Sequence, residues 1–403
     1  MDGSMNREGL TRKPLLPMFM FMAIFMMGCN FAHPVTPTYI IERGLDQSMQ
    51  GIAYAATMFT MFLVAPFWGQ LCNYIPTRRI VTISGIGYCI GQFFFLIAAS
   101  NGMMVFARLF SGCFSSACFV AITNYIINTT PDLKERGKQL TLYATIQTVV
   151  SAIGFFIAGM LGVISTETPL IIQCIMLPLS AFGMALCMSD DMPFKKAPDK
   201  KLTAADVNPL AAFVQAKSFL TPVLVLIIGI YAFGYLGQSI IEQIFNLFVK
   251  SHFDLPSSYN GSIKAIIAAA GFLVNTFITM KLIKKHELRK LILPVQILMA
   301  LPALAMLVLK DFYPLVGCYI FINMTITIRT PILQNLCAAN AKPGTSNLVM
   351  GFYQSIGYLG ACIGGLLAGF SLKINELLPF GIAAVTLVVT ALIALALNAK
   401  KTE

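Results

Sequence analysis

The chain has 403 residues, 57% of them hydrophobic and only 11% charged, with a mean hydropathy of +0.77 and a formal net charge of +11. Soluble domains carry roughly 25% charged residues, so this chain has too few polar side chains to cover a water-facing surface, and a bilayer is the expected solvent. The positive charge does not point to nucleic acid: the basic residues come in short clusters between apolar runs and form no continuous basic face.

Taken in chain order, the first apolar run covers 15–41. It is too long for the apolar region of a signal peptide and has no small-residue cleavage site, so it is the first expected membrane span. Runs of about 20 mostly apolar residues then place spans near 50–74, 80–99, 102–127, 139–165 and 169–189. A polar stretch follows, and six more spans are expected near 220–249, 258–283, 289–309, 312–338, 345–372 and 377–398. The expected fold is an all-α membrane protein with twelve transmembrane helices in two pseudo-symmetric six-helix bundles. These are an N-terminal bundle over 1–190 and a C-terminal bundle over 219–403, joined by a cytoplasmic linker over 191–218. Within the linker, Asn208-Pro209 is an N-cap followed by proline at the first helical position, which predicts a short helix.

Lysine and arginine in the loops set the orientation. With both termini in the cytoplasm, the inner segments hold 21 of these residues, and the outer segments hold only Arg43, Lys250, Lys310 and Lys373. The asymmetry supports an even number of spans. The halves also echo each other: Gly154-Phe155-Phe156-Ile157-Ala158-Gly159 in the fifth span returns in the eleventh as Gly360-Ala361-Cys362-Ile363-Gly364-Gly365. Duplicated halves around a central site are a recurrent transporter plan. Short loops suit a multi-pass protein of a bacterial inner (cytoplasmic) membrane.

Several motifs stand in order along the chain. The first span ends Pro34-Val35-Thr36-Pro37-Thr38-Tyr39, and Pro34 and Pro37 should kink it. The loop after the second span reads Gly69-Gln70-Leu71-Cys72-Asn73-Tyr74-Ile75-Pro76-Thr77-Arg78-Arg79. The fourth span carries Arg108-Leu109-Phe110-Ser111-Gly112, and Lys134-Glu135-Arg136-Gly137 follows it. Together these resemble the major facilitator superfamily, and within it the twelve-span drug:proton antiporter branch. The resemblance implies a gating role for the loop with Gly69, Asn73, Arg78 and Arg79, although Asn73 stands where that family places an acid. It also links Arg108 to proton coupling. The fifth-span motif of the antiporters is only partly kept, with Phe155 in place of proline and Ala158 in place of glycine.

Ionisable groups inside spans are costly and mark candidate functional sites. Of the 17 acids, only Glu242 lies well inside a span. It sits among Gln238, Ser239, Gln243 and Asn246, and a spacing of four puts Gln238, Glu242 and Asn246 on one face. That face should line a cavity, where a carboxyl can load and release a proton or hold a fixed ion pair. Arg108 keeps its charge in proteins, so its role must be electrostatic. His33 can change charge near neutral pH. These three, Glu242, Arg108 and His33, are the proton-coupling candidates. Lys264, close to the outer end of its span, can snorkel to water. Arg329, in the tenth span, could bind an anion or neutralise a carboxylate. With Asn30, Asn124, Gln238, Asn246, Asn323, Gln334, Tyr353 and Gln354 it makes up the substrate-cavity candidates.

No soluble-enzyme motif is present, nor the GxxxxGK[ST] loop of direct ATP drive. The three histidines are far apart in sequence, and the ten cysteines, mostly in apolar runs, show no CxxC spacing, so neither a metal nor a cofactor is expected. The expected function is secondary active transport by alternating access: proton-coupled efflux of a small amphipathic compound or drug, or alternatively symport of a small polar or anionic metabolite. A non-transporting sensor is a remote third reading. The expected partners are the small-molecule substrate, the proton as coupling ion and the lipid bilayer, with the chain working as a monomer.

Overall fold

The computed structural model describes residues 14–72, 74–130, 133–194, 220–279, 281–282, 287–309, 311–340 and 346–399. Asn73 and the expected linker helix after Asn208 lie outside the described residues. Every regular element among the described residues is helical. In the N-terminal half these are α1 (Leu15–Cys29), α2 (Ala32–Glu42), α3 (Met49–Leu71), α4 (Thr77–Leu96), α5 (Asn101–Thr129), α6 (Leu133–Leu161) and α7 (Glu167–Cys187), followed by a 3-10 turn at Met192–Phe194. The C-terminal half has α8 (Pro222–Phe253), α9 (Ser257–Val274) with a π-helical extension at Asn275–Thr279, α10 (Leu288–Ala305), α11 (Phe312–Ala339), α12 (Ser346–Leu372) and α13 (Leu378–Ala399).

Eleven segments of the described chain are long and apolar enough to cross a membrane, the first being α1 and α2 taken together as Leu15–Glu42. In α6, the fifth expected span, the apolar part is the shorter Thr145–Leu161. We call the end where α1 begins and α13 finishes the basic end, after its lysine- and arginine-rich loops, and the opposite end the far end.

Local chemistry explains the interruptions. The α1–α2 break falls at Asn30, four residues before Pro34, where a proline ring would collide with the carbonyl of a continuous helix. Asn30 Nδ2 donates instead to the Met26 carbonyl at 2.8 Å. The Tyr39 hydroxyl, fully buried, donates toward the Phe95 and Ala98 carbonyls at 2.9 and 3.0 Å, which ties α2 to the end of α4. At the basic end, the α4 N-terminus is capped from a distance. Asp191 accepts from the Thr77 backbone N–H at 2.9 Å and also from the Thr77 hydroxyl, and Arg78 pairs with Asp190 at 3.1 Å. An anion suits the exposed N–H groups and positive dipole of a helix start. The loop between α3 and α4 is therefore tied to the end of α7 within the same half, while Arg79 is exposed.

Each half has its own apolar core, around Phe25, Tyr125 and Leu177 in one and Ile240, Tyr319 and Leu387 in the other. The sequence echo has a counterpart in packing. A Cβ at Gly154 would lie 2.5 Å from the Met27 carbonyl oxygen of α1, and one at Gly360 would lie 2.6 Å from the Ala232 carbonyl oxygen of α8. Equivalent glycines thus seat the fifth helix of each half against its first.

The halves meet at the far end. There α3 crosses α12 so closely that a Cβ at Gly51 would overlap the Gly365 carbonyl oxygen and lie 2.6 Å from the Gly369 nitrogen. Gln50 donates to Gln243 across the same seam at 3.0 Å. Phe155 and Phe156 of α6 press on Gly261 of α9, and Asp46 pairs with Lys373 at 2.7 Å between the far-end loops.

Replacing Gly51 with valine should wedge this seam apart. Spin labels at Gln47 and Glu376, in a background without other cysteines, should then show a longer distance than in the parent protein, and an unchanged distance would deny that the crossing needs glycine. The Asp46–Lys373 pair should be indifferent to mild acid. Its hydrogen bonds from Lys373 and Ser48 draw the Asp46 carboxyl from its usual 3.8 down to about 2. A depressed carboxylate keeps its stabilising charge above its ordinary value and loses it only as pH falls toward the lowered one. The same label pair should therefore report one distance between about pH 5 and 8.

Candidate functional site

A cavity of about 920 Å3 lies between the halves, beneath the far-end seal. Helices from both halves line it, from His33 and Gln50 near the seal to Asn275 and Gln334 toward the basic end. Its charged lining groups are Arg108 from the N-terminal half and Glu242 and Lys264 from the C-terminal half, with His33 beside them. The cavity brings His33, Arg108 and Glu242, the three proton-coupling candidates, onto one lining, with Lys264 beside them.

Glu242 projects from α8 and Lys264 from α9, and the two form a direct, hydrogen-bonded ion pair. Although its position would allow Lys264 to reach outward to water, it turns inward. Its ammonium lies 5.6 Å from the centre of the Phe155 ring and 5.5 Å from that of Tyr319, within the range of cation–π attraction. The ammonium thus sits in a cage of one carboxylate and two aromatic faces. Lys264 keeps 13% of its side-chain surface accessible and Glu242 32%, so the carboxylate remains reachable from the cavity.

Opposite this pair, the His33 ring stacks on Phe155 with centroids 6.1 Å apart and planes 4° from parallel. Phe155 therefore contacts both the imidazole of its own half and the ammonium of the other. Arg108 lies with its guanidinium 3.8 Å over the Phe95 ring and contacts the Thr36 hydroxyl oxygen at 3.3 Å. Among the described residues no carboxylate pairs with it.

The remaining candidates divide. Asn30, Asn246, Asn323 and Gln334 line the cavity. Gln238, Arg329 and Tyr353 belong instead to the interior of the C-terminal half. Arg329 is fully buried, donates to Gln238 Oε1 at 3.1 Å and contacts Met299 Sδ at 3.4 Å, which draws Gln238 away from the Glu242 face. Tyr353 stacks on Tyr231 with centroids 3.8 Å apart. Asn124 returns its amide to the Val120 carbonyl of its own helix at 3.1 Å, and Gln354 is exposed away from the cavity lining. Residue-level reading did not anticipate Phe155 and Tyr319 as walls of the ammonium site, or Asp190 and Asp191 as anchors of the α3–α4 loop.

The family model for the Major Facilitator Superfamily matches residues 18–365 and 231–401. Multidrug resistance protein 2 of Bacillus subtilis (strain 168) is 20% identical over 368 residues, covering 91% of this chain and 90% of that protein. Quinolone resistance protein NorA of Staphylococcus aureus (strain MSSA476) is 24% identical over 227 residues, 55% of this chain and 56% of its own length. Among solved structures, the nucleoside transporter NupG superposes with a TM-score of 0.73 at 13% identity, covering 96% of this chain and 100% of that one. The human organic anion transporter MFSD10 gives 0.70 at 14% identity, covering 94% and 98%. At such identities the likeness to solved structures is one of fold.

Breaking a buried ion pair by removing one partner strands the other charge. With Glu242 partly accessible, either Glu242→Gln or Lys264→Met should cost on the order of 1–2 kcal/mol and lower the thermal midpoint of the protein in detergent. The double variant, which strands no charge, should recover most of the loss. Strictly additive losses would mean that the two groups do not depend on each other.

Proposed function

Since the chain belongs to the Major Facilitator Superfamily, we propose that it is a secondary transporter in which alternating access carries a small amphipathic compound through the central cavity, coupled to proton movement at Glu242. The observation that carries this reading is a cavity of about 920 Å3 between two halves, whose lining carboxylate is accessible yet held by a breakable partner. The cavity is large enough for a drug-sized molecule. In this reading the twelve expected spans cross an inner membrane with the basic end in the cytoplasm, as the positive-inside rule favours. The far-end seal then closes the outer side, and the cavity faces inward.

Protonating Glu242 removes the charge that holds Lys264. The cavity then changes by one unit of positive charge, and the carboxyl no longer needs its partner. Moving one charge across the membrane is worth about 2.3 kcal/mol per 100 mV, so such a step can drive a useful gradient. The seam at Gly51, Gly365 and Gly369 is the contact that must part for the far end to open, and the duplicated packing of each half allows each to move as a body.

The sequence relatives are named for multidrug and quinolone resistance, which favours export of a drug-like compound. One observation favours a second reading, in which a proton and an anion move together. Glu242 is already occupied by Lys264, so a proton landing on Glu242 releases a cation that an anionic substrate can engage.

Proteoliposomes containing a pH-sensitive dye distinguish the two. A panel of cationic, neutral and anionic amphipathic compounds should evoke proton flux in the parent protein and none in Glu242→Gln. Opposite proton and substrate directions mean exchange, and a common direction means co-transport. Equal flux in both proteins would remove Glu242 from the mechanism.

A further inference from the structure

We propose that Lys264 is a specificity-determining residue that fills the cavity's own cation site, so that the transporter rejects organic cations and takes amphipathic compounds bearing an anionic group. The inference rests on the reading of the central cavity as the substrate path and goes on to name the substrate class.

The first observation is the cage. A carboxylate flanked by aromatic faces is the arrangement that recognises an ammonium, and here it consists of Glu242, Phe155 and Tyr319. The group inside it is supplied by the protein. A tethered lysine is always present, whereas a free cation must give up translational freedom to bind. Any cationic substrate must first displace Lys264 and leave that ammonium without its countercharge. Cation binding is opposed twice, by occupancy and by repulsion.

The second observation is the charge balance of the cavity. Glu242 is matched by Lys264, while Arg108 faces the same space against the Thr36 hydroxyl and the Phe95 ring, with no carboxylate paired to it among the described residues. Among the described lining residues, two permanent cations therefore stand against one carboxylate. An anionic substrate brings the count to neutrality, and a cationic one moves it further away. Arginine also presents a planar fork of donors that suits a carboxylate or sulfonate. The buried Arg329 takes no part, because it is enclosed in the C-terminal half.

The two observations together bear on coupling. A cation and a proton would compete for Glu242, the logic of exchange. An anion gains a partner when Glu242 is protonated and Lys264 is released, so proton and substrate load together. An anion-selective cavity thus fits the co-transport reading.

The test is equilibrium binding to the protein in lipid nanodiscs, with no gradient present and with protein-free discs subtracted. The probes are tetraphenylphosphonium and tetraphenylborate, which share shape and differ in the sign of their charge. The measured quantity is the ratio of their two affinities in each variant, relative to the parent protein. Lys264→Ala empties the cage and should shift the ratio toward the phosphonium by about tenfold or more. Arg108→Met removes the same unit of charge but leaves the cage filled, and should shift it clearly less. In Lys264→Ala combined with Glu242→Gln the gain for the phosphonium should vanish. Glu242→Gln alone frees the ammonium and should shift the ratio toward the borate, so the site is also tested through its other partner should Lys264→Ala fail to fold.

Equal shifts for Lys264→Ala and Arg108→Met would overturn the cage and leave only a general effect of charge. A ratio that stays constant across the variants, including absence of binding in all of them, would overturn the proposal outright. Because the measurement involves no flux, it can fail while proton-coupled transport holds, and it can succeed where coupling fails.

Discussion

A charge withdrawn from water toward hydrocarbon must find a partner, and in this protein that constraint is met at the ion pair of Glu242 with Lys264. The pair joins two helices of the C-terminal half, and Phe155 of the N-terminal half covers the ammonium. It therefore lies where the halves face each other, beneath the far-end seal. In the proposed function, this pair holds in the present arrangement and exchanges a partner for a proton in another, which would link the chemistry of the cavity to the relative position of the halves.

The seal depends on a different constraint, backbone proximity. Gly51 meets Gly365 and Gly369 at a distance that no side chain tolerates, and Gln50 of the same helix donates to Gln243 of α8 in the same seam. Glycines at such a crossing allow close packing without a deep interlocking of side chains, which suits the separation that the proposed alternating access requires. The Asp46–Lys373 pair is solvent-exposed, so it contributes little by itself. Its value is positional, since it joins loops of opposite halves at the rim.

Much of the architecture was legible in the sequence because lipid makes a simple demand: about 20 apolar residues per span and basic loops on one side. Pro34 gave away the break in the first span, and the Gly154 and Gly360 echo corresponds to equivalent helix contacts. Glu242 stood out as an acid well inside a span. Its partner did not, because Lys264 lies on the next helix and close enough to the far end to be read as snorkelling. Gln238 and Tyr353 were misplaced for a related reason. A polar face must avoid lipid, but it can do so by facing either the cavity or the interior of its own half, and spacing alone does not distinguish the two. Arg329 decides the matter by holding Gln238 inside. The anchors Asp190 and Asp191 escaped because a helix cap supplied from more than a hundred residues away leaves no local pattern.

The account depends on Glu242 being a carboxyl that changes protonation while Lys264 supplies or withdraws its countercharge. The most direct measurement is the infrared difference spectrum between acid and neutral pH, for the protein in lipid, compared among the parent, Glu242→Gln and Lys264→Met. The account predicts a protonated-carboxyl stretch that is present in the parent, absent in Glu242→Gln, and displaced to a different pH range in Lys264→Met. Identical difference spectra for the parent and Glu242→Gln would contradict it, because Glu242 would then hold one charge state throughout.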